Sequence, residues 1–287
     1  MATELQHFIQ YANHAITDVP SFSLSLVFPK GYLEQVWCRG TNFRRDANGA
    51  ILCTLNNAEG SISARISRPD IKLESFTNWQ VMLVDVVTVS ISGTLTAEVM
   101  RLRTEAVTPG SYLDLMPRAV CALPTKLDEL RELTRFIQTQ KLRQLLESVF
   151  SDAAIFLPFL SCFGGSQRYT YPSGLIAKTV AAAKMAIRMG FETQEEADMV
   201  LTAAILYDLG HIRDVNMTSE TLRKATGFVP HTKTLGLIRF ALDSAKCKLH
   251  ASLEEVLKGG YCSRYPSLHQ KMKQQTALAK IDAALRA

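Results

Sequence analysis

The sequence predicts an α+β chain of two domains, a small β-barrel followed by an all-α domain, and three observations predict it. From about residue 22 to residue 107 the apolar side chains alternate with period two, and from residue 126 they recur at spacings of three and four. Between the two stretches lies a Pro-containing connector, "TPGSYLDLMPRAVCALPT". A chain of 287 residues also exceeds the usual single-domain length of about 100–200 residues. The boundaries expected are a helical extension over 1–20, a barrel over 21–108, a linker over 109–125 and the helical domain over 126–287.

In chain order, Leu5, Phe8, Ile9, Tyr11 and Ala12 are spaced for a short helix leaning on the barrel. The strands follow in "YLEQVWCRG", "AILCTLNN", "SISARIS" and "WQVMLVDVVTVSISGTLTAEVMRLR", rich in Val, Ile, Leu and Thr, with "RRDANGA" and "NNAEGS" as turns. About five strands in so short a stretch suit a closed barrel, because an open sheet would leave edges to cover; an oligonucleotide-binding (OB)-like barrel is the specific expectation. Trp37, Arg39, Phe43, Arg44 and Arg45 lie along one strand and its turn, and Arg65 and Arg68 end a neighbouring one. Aromatics that stack on bases, interleaved with guanidiniums that track phosphate, are what sequence-tolerant single-strand binding requires. A second reading stands beside it, in which Trp37 and Phe43 fill the barrel and the arginines coat its outside.

The helical half opens with "KLDELRELTRFIQTQKLRQLLESVFSD", where Leu127, Leu130, Leu133, Ile137, Leu142, Leu145 and Leu146 share a face and acidic residues occupy the first turns. Helical runs are expected over about 173–189, 193–208, 231–248, 252–258 and 267–285. Between the first helices, "SCFGGSQRYTYPSG" reads as a loop with Ser173 as a helix cap, or as a place where Tyr169 and Tyr171 stack bases beside Arg168. "LTAAILYDLGHIRD" then carries Tyr207 and Asp208 to a break at Leu209-Gly210; were the helix continuous, Asp208, His211 and Asp214 would be close neighbours. His231, His250 and His269 have no partner at ligand spacing.

Bulk properties narrow the function classes. An apolar fraction of 47% is ample for a core, yet no run of about 18 apolar residues and no basic-then-apolar N-terminus occurs, so a cytoplasmic chain with no membrane partner is expected. Six scattered cysteines without a Cys-x-x-Cys pair suit reduced thiols better than zinc or disulfides. The net charge of +5 is uneven: residues 1–116 carry nine Lys/Arg against eleven Asp/Glu, and the remainder 23 against 16. That surplus is compatible with a polyanionic partner without requiring one.

In order and spacing, the barrel, the segment from Tyr112 to Asp152, "RYTYPSGLIAKTVAAAKMA" and "AAILYDLGHI" resemble YhaM-type 3′-to-5′ exoribonucleases, which join an OB fold to an HD-superfamily phosphohydrolase domain. The helical part is also similar to HD domains attached to some conjugative relaxases. The likeness spans roughly residues 25–285. It implies a divalent metal held by histidines and aspartates, which activates water and offsets phosphate charge. Carried over, the family's ligands fall on Lys178, Tyr207, Asp208, Leu237 and Asp282, and flanking histidines on Arg168, Tyr169 and Thr170; only the two aspartates survive. An ammonium has no lone pair, a protonated phenol is a weak ligand and leucine is none, so the resemblance implies a degenerate centre with no metal cofactor, Lys178 replacing the ion's charge beside Asp208 or Asp282.

The function expected is binding of single-stranded RNA or DNA, or scaffolding with a protein partner in a nucleic-acid-processing complex such as a conjugation apparatus. The alternative is an active 3′-to-5′ exonuclease or phosphohydrolase in which Asp208, His211 and Asp282 hold a loose Mn or Mg. Oligomeric state is not legible.

Overall fold

The computed structural model describes residues 31–91, 94–104, 109–164, 167–214, 231–244, 251–262 and 273–286. The expected helix over 1–20 and the residues His250 and His269 lie outside them, as do the side chains of Asp214 and His231. The chain divides into two compact units between Val120 and Cys121.

Five strands form the first unit: β1 (Tyr32–Arg45), β2 (Ile51–Asn56), β3 (Ser61–Ile66), β4 (Gln80–Ile91) and β5 (Thr94–Arg103). They close into a barrel in the order β1-β2-β3-β5-β4, with β3 and β5 parallel and the other pairs antiparallel. The period-two pattern has a direct physical outcome. Ile51, Cys53 and Leu55 of β2, Ile62, Ala64 and Ile66 of β3, and Met82, Val84 and Val86 of β4 all point inward to one core. Burial pushes the Cys53 thiol up to about 12 and raises the Cys38 thiol as well, so both barrel cysteines are held as neutral, unreactive thiols.

The turns form for local reasons. Asp46 Oδ1 accepts from the amides of Asn48 (2.9 Å) and Ala50 (2.8 Å), and Gly49 takes a φ of +82° between them. Asn57 Oδ1 accepts from Glu59 and Gly60 at the next turn. Residues expected as a linker instead form two short 3-10 turns, Leu113–Leu115 and Arg118–Val120. The amide of Ala58 donates to the Asp114 carbonyl and that of Arg118 to the Asn57 carbonyl. Leu113, Leu115 and Met116 are buried; apolar spacing in that connector was too short to register as an element.

Eight α-helices are described in the second unit: α1 (Pro124–Thr134), α2 (Gln140–Ser151), α3 (Ala153–Ser161), α4 (Gly174–Arg188), α5 (Gln194–Leu206), α6 (His231–Ser244), α7 (Ala251–Cys262) and α8 (Lys273–Arg286). The long helical run from Lys126 is broken at Arg135–Thr139 into α1 and α2. The break is held by Asp198 of α5, whose Oδ2 accepts from the amides of Gln138 (2.9 Å) and Thr139 (2.7 Å) and from the Thr139 hydroxyl (2.7 Å). α5 ends at Leu206, just before the expected break at Leu209-Gly210, and Leu209–Asp214 forms a 3-10 turn. α4 packs against α1 and α5, and α8 lies against both α4 and α5. Among the described residues no helix is long and apolar enough to cross a membrane.

Candidate functional site

α4 is built from small and branched apolar residues (Leu175, Ile176, Ala177, Val180, Ala182, Ala183) that bury almost its whole circumference. Lys178 sits in that buried stretch at 2% exposure. A buried ammonium requires a partner, and Nζ meets Asp208 Oδ2 at 2.8 Å. Asp208 is delivered by the end of α5, where the helix gives way to the 3-10 turn. His211, one turn on, places Nε2 3.5 Å from the other carboxylate oxygen.

Burial alone would raise the Asp208 carboxyl; the Lys178 ammonium first, and then His211, outweigh it and hold the group well below the usual carboxylate range. Lys178 and Asp208 therefore form an internal salt, charge against charge.

Beside it, the Tyr207 hydroxyl donates to Asp282 Oδ2 of α8 at 3.2 Å, both residues being buried. Thr234 of α6 fastens the same turn: its Oγ1 donates to the Tyr207 carbonyl at 3.1 Å and accepts from the Gly210 amide at 2.9 Å. Leu237 is buried one turn further along α6. Four of the positions singled out in the sequence are thus drawn into two adjoining pairs, Lys178 with Asp208 and Tyr207 with Asp282.

The donor set does not fit a divalent cation. The Asp208 oxygen that would ligate an ion is occupied by a cationic amine, and the phenol points its proton at the second carboxylate. Among the described residues no group of three or more His, Cys, Asp or Glu side chains is arranged to hold a metal.

The barrel residues separate. Arg39 is 2% exposed; its Nη1 donates to the Trp79 carbonyl at 3.1 Å and its guanidinium lies 5.7 Å from the centre of the Tyr112 ring. It is a structural residue, and the expectation that it binds phosphate is corrected by its burial. Phe43 is partly buried against the barrel core, in keeping with the second reading: its ring stacks on Phe76 at 4.5 Å and fills space that a side chain at Gly40 would take. Trp37 is half-buried, opposite Leu83 of β4.

Arg44 and Arg45 remain exposed at the end of β1, Arg45 donating to the Gly49 carbonyl. Arg44 faces Leu52 across β1–β2, and Leu52 faces Arg65 across β2–β3, so one outward row carries two guanidiniums. Arg65 lies 3.6 Å from Asp46, and Arg68 pairs with Asp70 at 2.6 Å, which leaves Arg44 the guanidinium of this row without a partner among the described residues.

Ser173 is also corrected. It stands at the N-cap position of α4, its carbonyl accepting from the Ala177 amide, but its side chain makes no capping bond: at φ +62° its hydroxyl donates to the Leu160 carbonyl at 2.6 Å. Asp198 was missed, because its four donors lie up to sixty residues away or within its own helix.

No protein-family model matches the chain, and neither does any curated protein.

Proposed function

We propose that the chain binds single-stranded nucleic acid through an OB-like barrel and carries an HD-like helical domain that has exchanged metal-dependent hydrolysis for an internal salt. The observation that carries the reading is the Lys178–Asp208 pair at 2.8 Å, buried on both sides. A lysine nitrogen stands where the resemblance implies an imidazole, and it supplies the positive charge that an ion would have supplied. The strand order β1-β2-β3-β5-β4 is that of an OB barrel and supports the first half. The row of Arg44 and Arg65 on β1 and β3 gives phosphate a place to lie.

The test is a titration of the full chain with labelled single-stranded DNA and RNA at several salt concentrations, with parallel incubation in millimolar manganese or magnesium. The expected result is binding that weakens with salt and no shortening of the strand. Arg44→Ala with Arg45→Ala should flatten the salt slope by about 0.7 for each phosphate that these guanidiniums neutralise. Salt-independent or absent binding would count against the barrel reading and leave scaffolding through a protein partner. Cleavage that stops in Asp208→Ala would overturn the non-hydrolytic half; the approach of His211 to Asp208 is the feature that would then explain it.

A further inference from the structure

Between α3 and α4 the described residues are joined by a set of backbone hydrogen bonds. The Ser173 amide donates to the Ser161 carbonyl at 3.0 Å, and its hydroxyl donates to Leu160 while accepting from the Ala122 amide at 2.8 Å. The Gly164 amide donates to the Tyr169 carbonyl at 2.7 Å, and the Gly174 amide to the Tyr171 carbonyl at 2.9 Å. The backbone of Tyr169 is wedged between two glycines: a Cβ on Gly174 would collide with the Tyr169 carbonyl oxygen, and one on Gly164 would lie 2.5 Å from the Tyr169 Cβ.

This frame presents two phenol rings, Tyr169 and Tyr171, with centres 6.4 Å apart and planes tilted by 46°. Tyr171 is 38% exposed and Arg168, one residue before Tyr169, is exposed too. None of these three side chains has a hydrogen-bond or ion-pair partner among the described residues. Arg168 shares this with Arg44 of the barrel, whereas the exposed Arg68 and Arg135 pair with Asp70 and Glu132.

We propose that Tyr171 and Arg168 form a base-stacking site on the helical unit, at which one nucleotide of a single strand lays its base on the Tyr171 ring and its phosphate on the Arg168 guanidinium. The physical grounds are threefold. Every base has a π-face, so a ring offered on a fixed backbone binds it without a hydrogen-bond code. The backbone carbonyls of Tyr169 and Tyr171 are tied by the Gly164 and Gly174 amides, so the rings are offered from a hydrogen-bonded frame. Arg168, exposed and next to Tyr169 in the chain, has no hydrogen-bond or ion-pair partner among the described residues, and its charge matches the anion that accompanies each base in a strand. The ligand class rests on the nucleic-acid reading above; the residues are separate from those of the barrel.

The experiment uses the full chain and an oligothymidine, with Tyr171→Ala, Tyr171→Trp, Arg168→Ala and the barrel pair Arg44→Ala with Arg45→Ala. The expected result is a loss of affinity of about tenfold in Tyr171→Ala, recovery in Tyr171→Trp, and a smaller, salt-sensitive loss in Arg168→Ala. If the Tyr171 and Arg168 variants bind as the wild type does while the barrel variant is weakened, the stacking site is wrong and the functional reading stands. If the wild type does not bind the strand at all, that reading fails, and a titration with adenosine monophosphate alone decides the site. Binding abolished by Tyr171→Ala then supports it, and no binding overturns it.

Discussion

The two ends of α5 each bury a carboxylate, and they satisfy it in opposite ways. Near its start, Asp198 receives two backbone amides, a hydroxyl and the Gln194 side-chain amide, every one a neutral donor. Just past its end, Asp208 receives an ammonium at 2.8 Å and an imidazole at 3.5 Å. The first arrangement stitches chain to chain: it fixes the joint between α1 and α2 through hydrogen bonds that occupy the carboxylate oxygens. The second concentrates opposite charges inside the core. Burial of an acid is therefore no sign of a site by itself; the chemistry of its donors is what separates a backbone clip from a buried ion pair.

The largest expected effect breaks the charged pair from one side. Asp208→Ala leaves Lys178 buried without its counter-charge, and should lower unfolding free energy by about 3–5 kcal/mol in a denaturant titration. Lys178→Met combined with Asp208→Leu removes both charges and should stay within about 1–2 kcal/mol of the wild type, since such apolar replacements are often neutral. A double variant as unstable as the single one would show that the pair does more than balance itself. Asp198→Ala comes next: it strands the amides of Gln138 and Thr139, at about 1–3 kcal/mol in total. Its signature should be local, with faster hydrogen exchange at the α1–α2 joint.

The pH dependence tests the charged end alone. The folded state holds Asp208 below its unfolded value of about 3.9, so its contribution is present above that pH and is lost as pH falls from there toward the depressed folded value. Unfolding free energy measured from pH 5 downward should fall more steeply in the wild type than in Asp208→Asn. Equal slopes would mean that the carboxylate is not held ionised by Lys178.

How much of this was legible follows from what each feature depends on. The strands could be read because inward positions recur every second residue, as in Ile62, Ala64 and Ile66, and the end of α5 because Leu209-Gly210 breaks a helical pattern. Both are properties of neighbouring residues. Lys178 with Asp208 was foreseeable as a pair only through the resemblance, since thirty positions separate them. Asp198 looked like any acid near a helix start, because its donors Gln138 and Thr139 are about sixty positions away. For Arg39 and Phe43 two readings stayed open for a related reason: alternation placed them along β1, but Trp79, Tyr112 and Phe76, which pack on them, arrive from later parts of the chain.

The smallest expected effect tests whether the distinction between neutral donors and charged ones holds within the cluster itself. The Tyr207 hydroxyl donates to Asp282 at 3.2 Å, at the long end of the range for an O–H donor, and Asp282 has further interactions. Tyr207→Phe keeps the ring in place and removes one neutral donor from a carboxylate that is otherwise engaged. The loss should be about 1 kcal/mol, well under that of Asp208→Ala, measured in the same denaturant titration. Were the phenylalanine variant to fall as far as Asp208→Ala, the four side chains would behave as one coupled network rather than two pairs, and the contrast between the ends of α5 would have to be redrawn around Asp282.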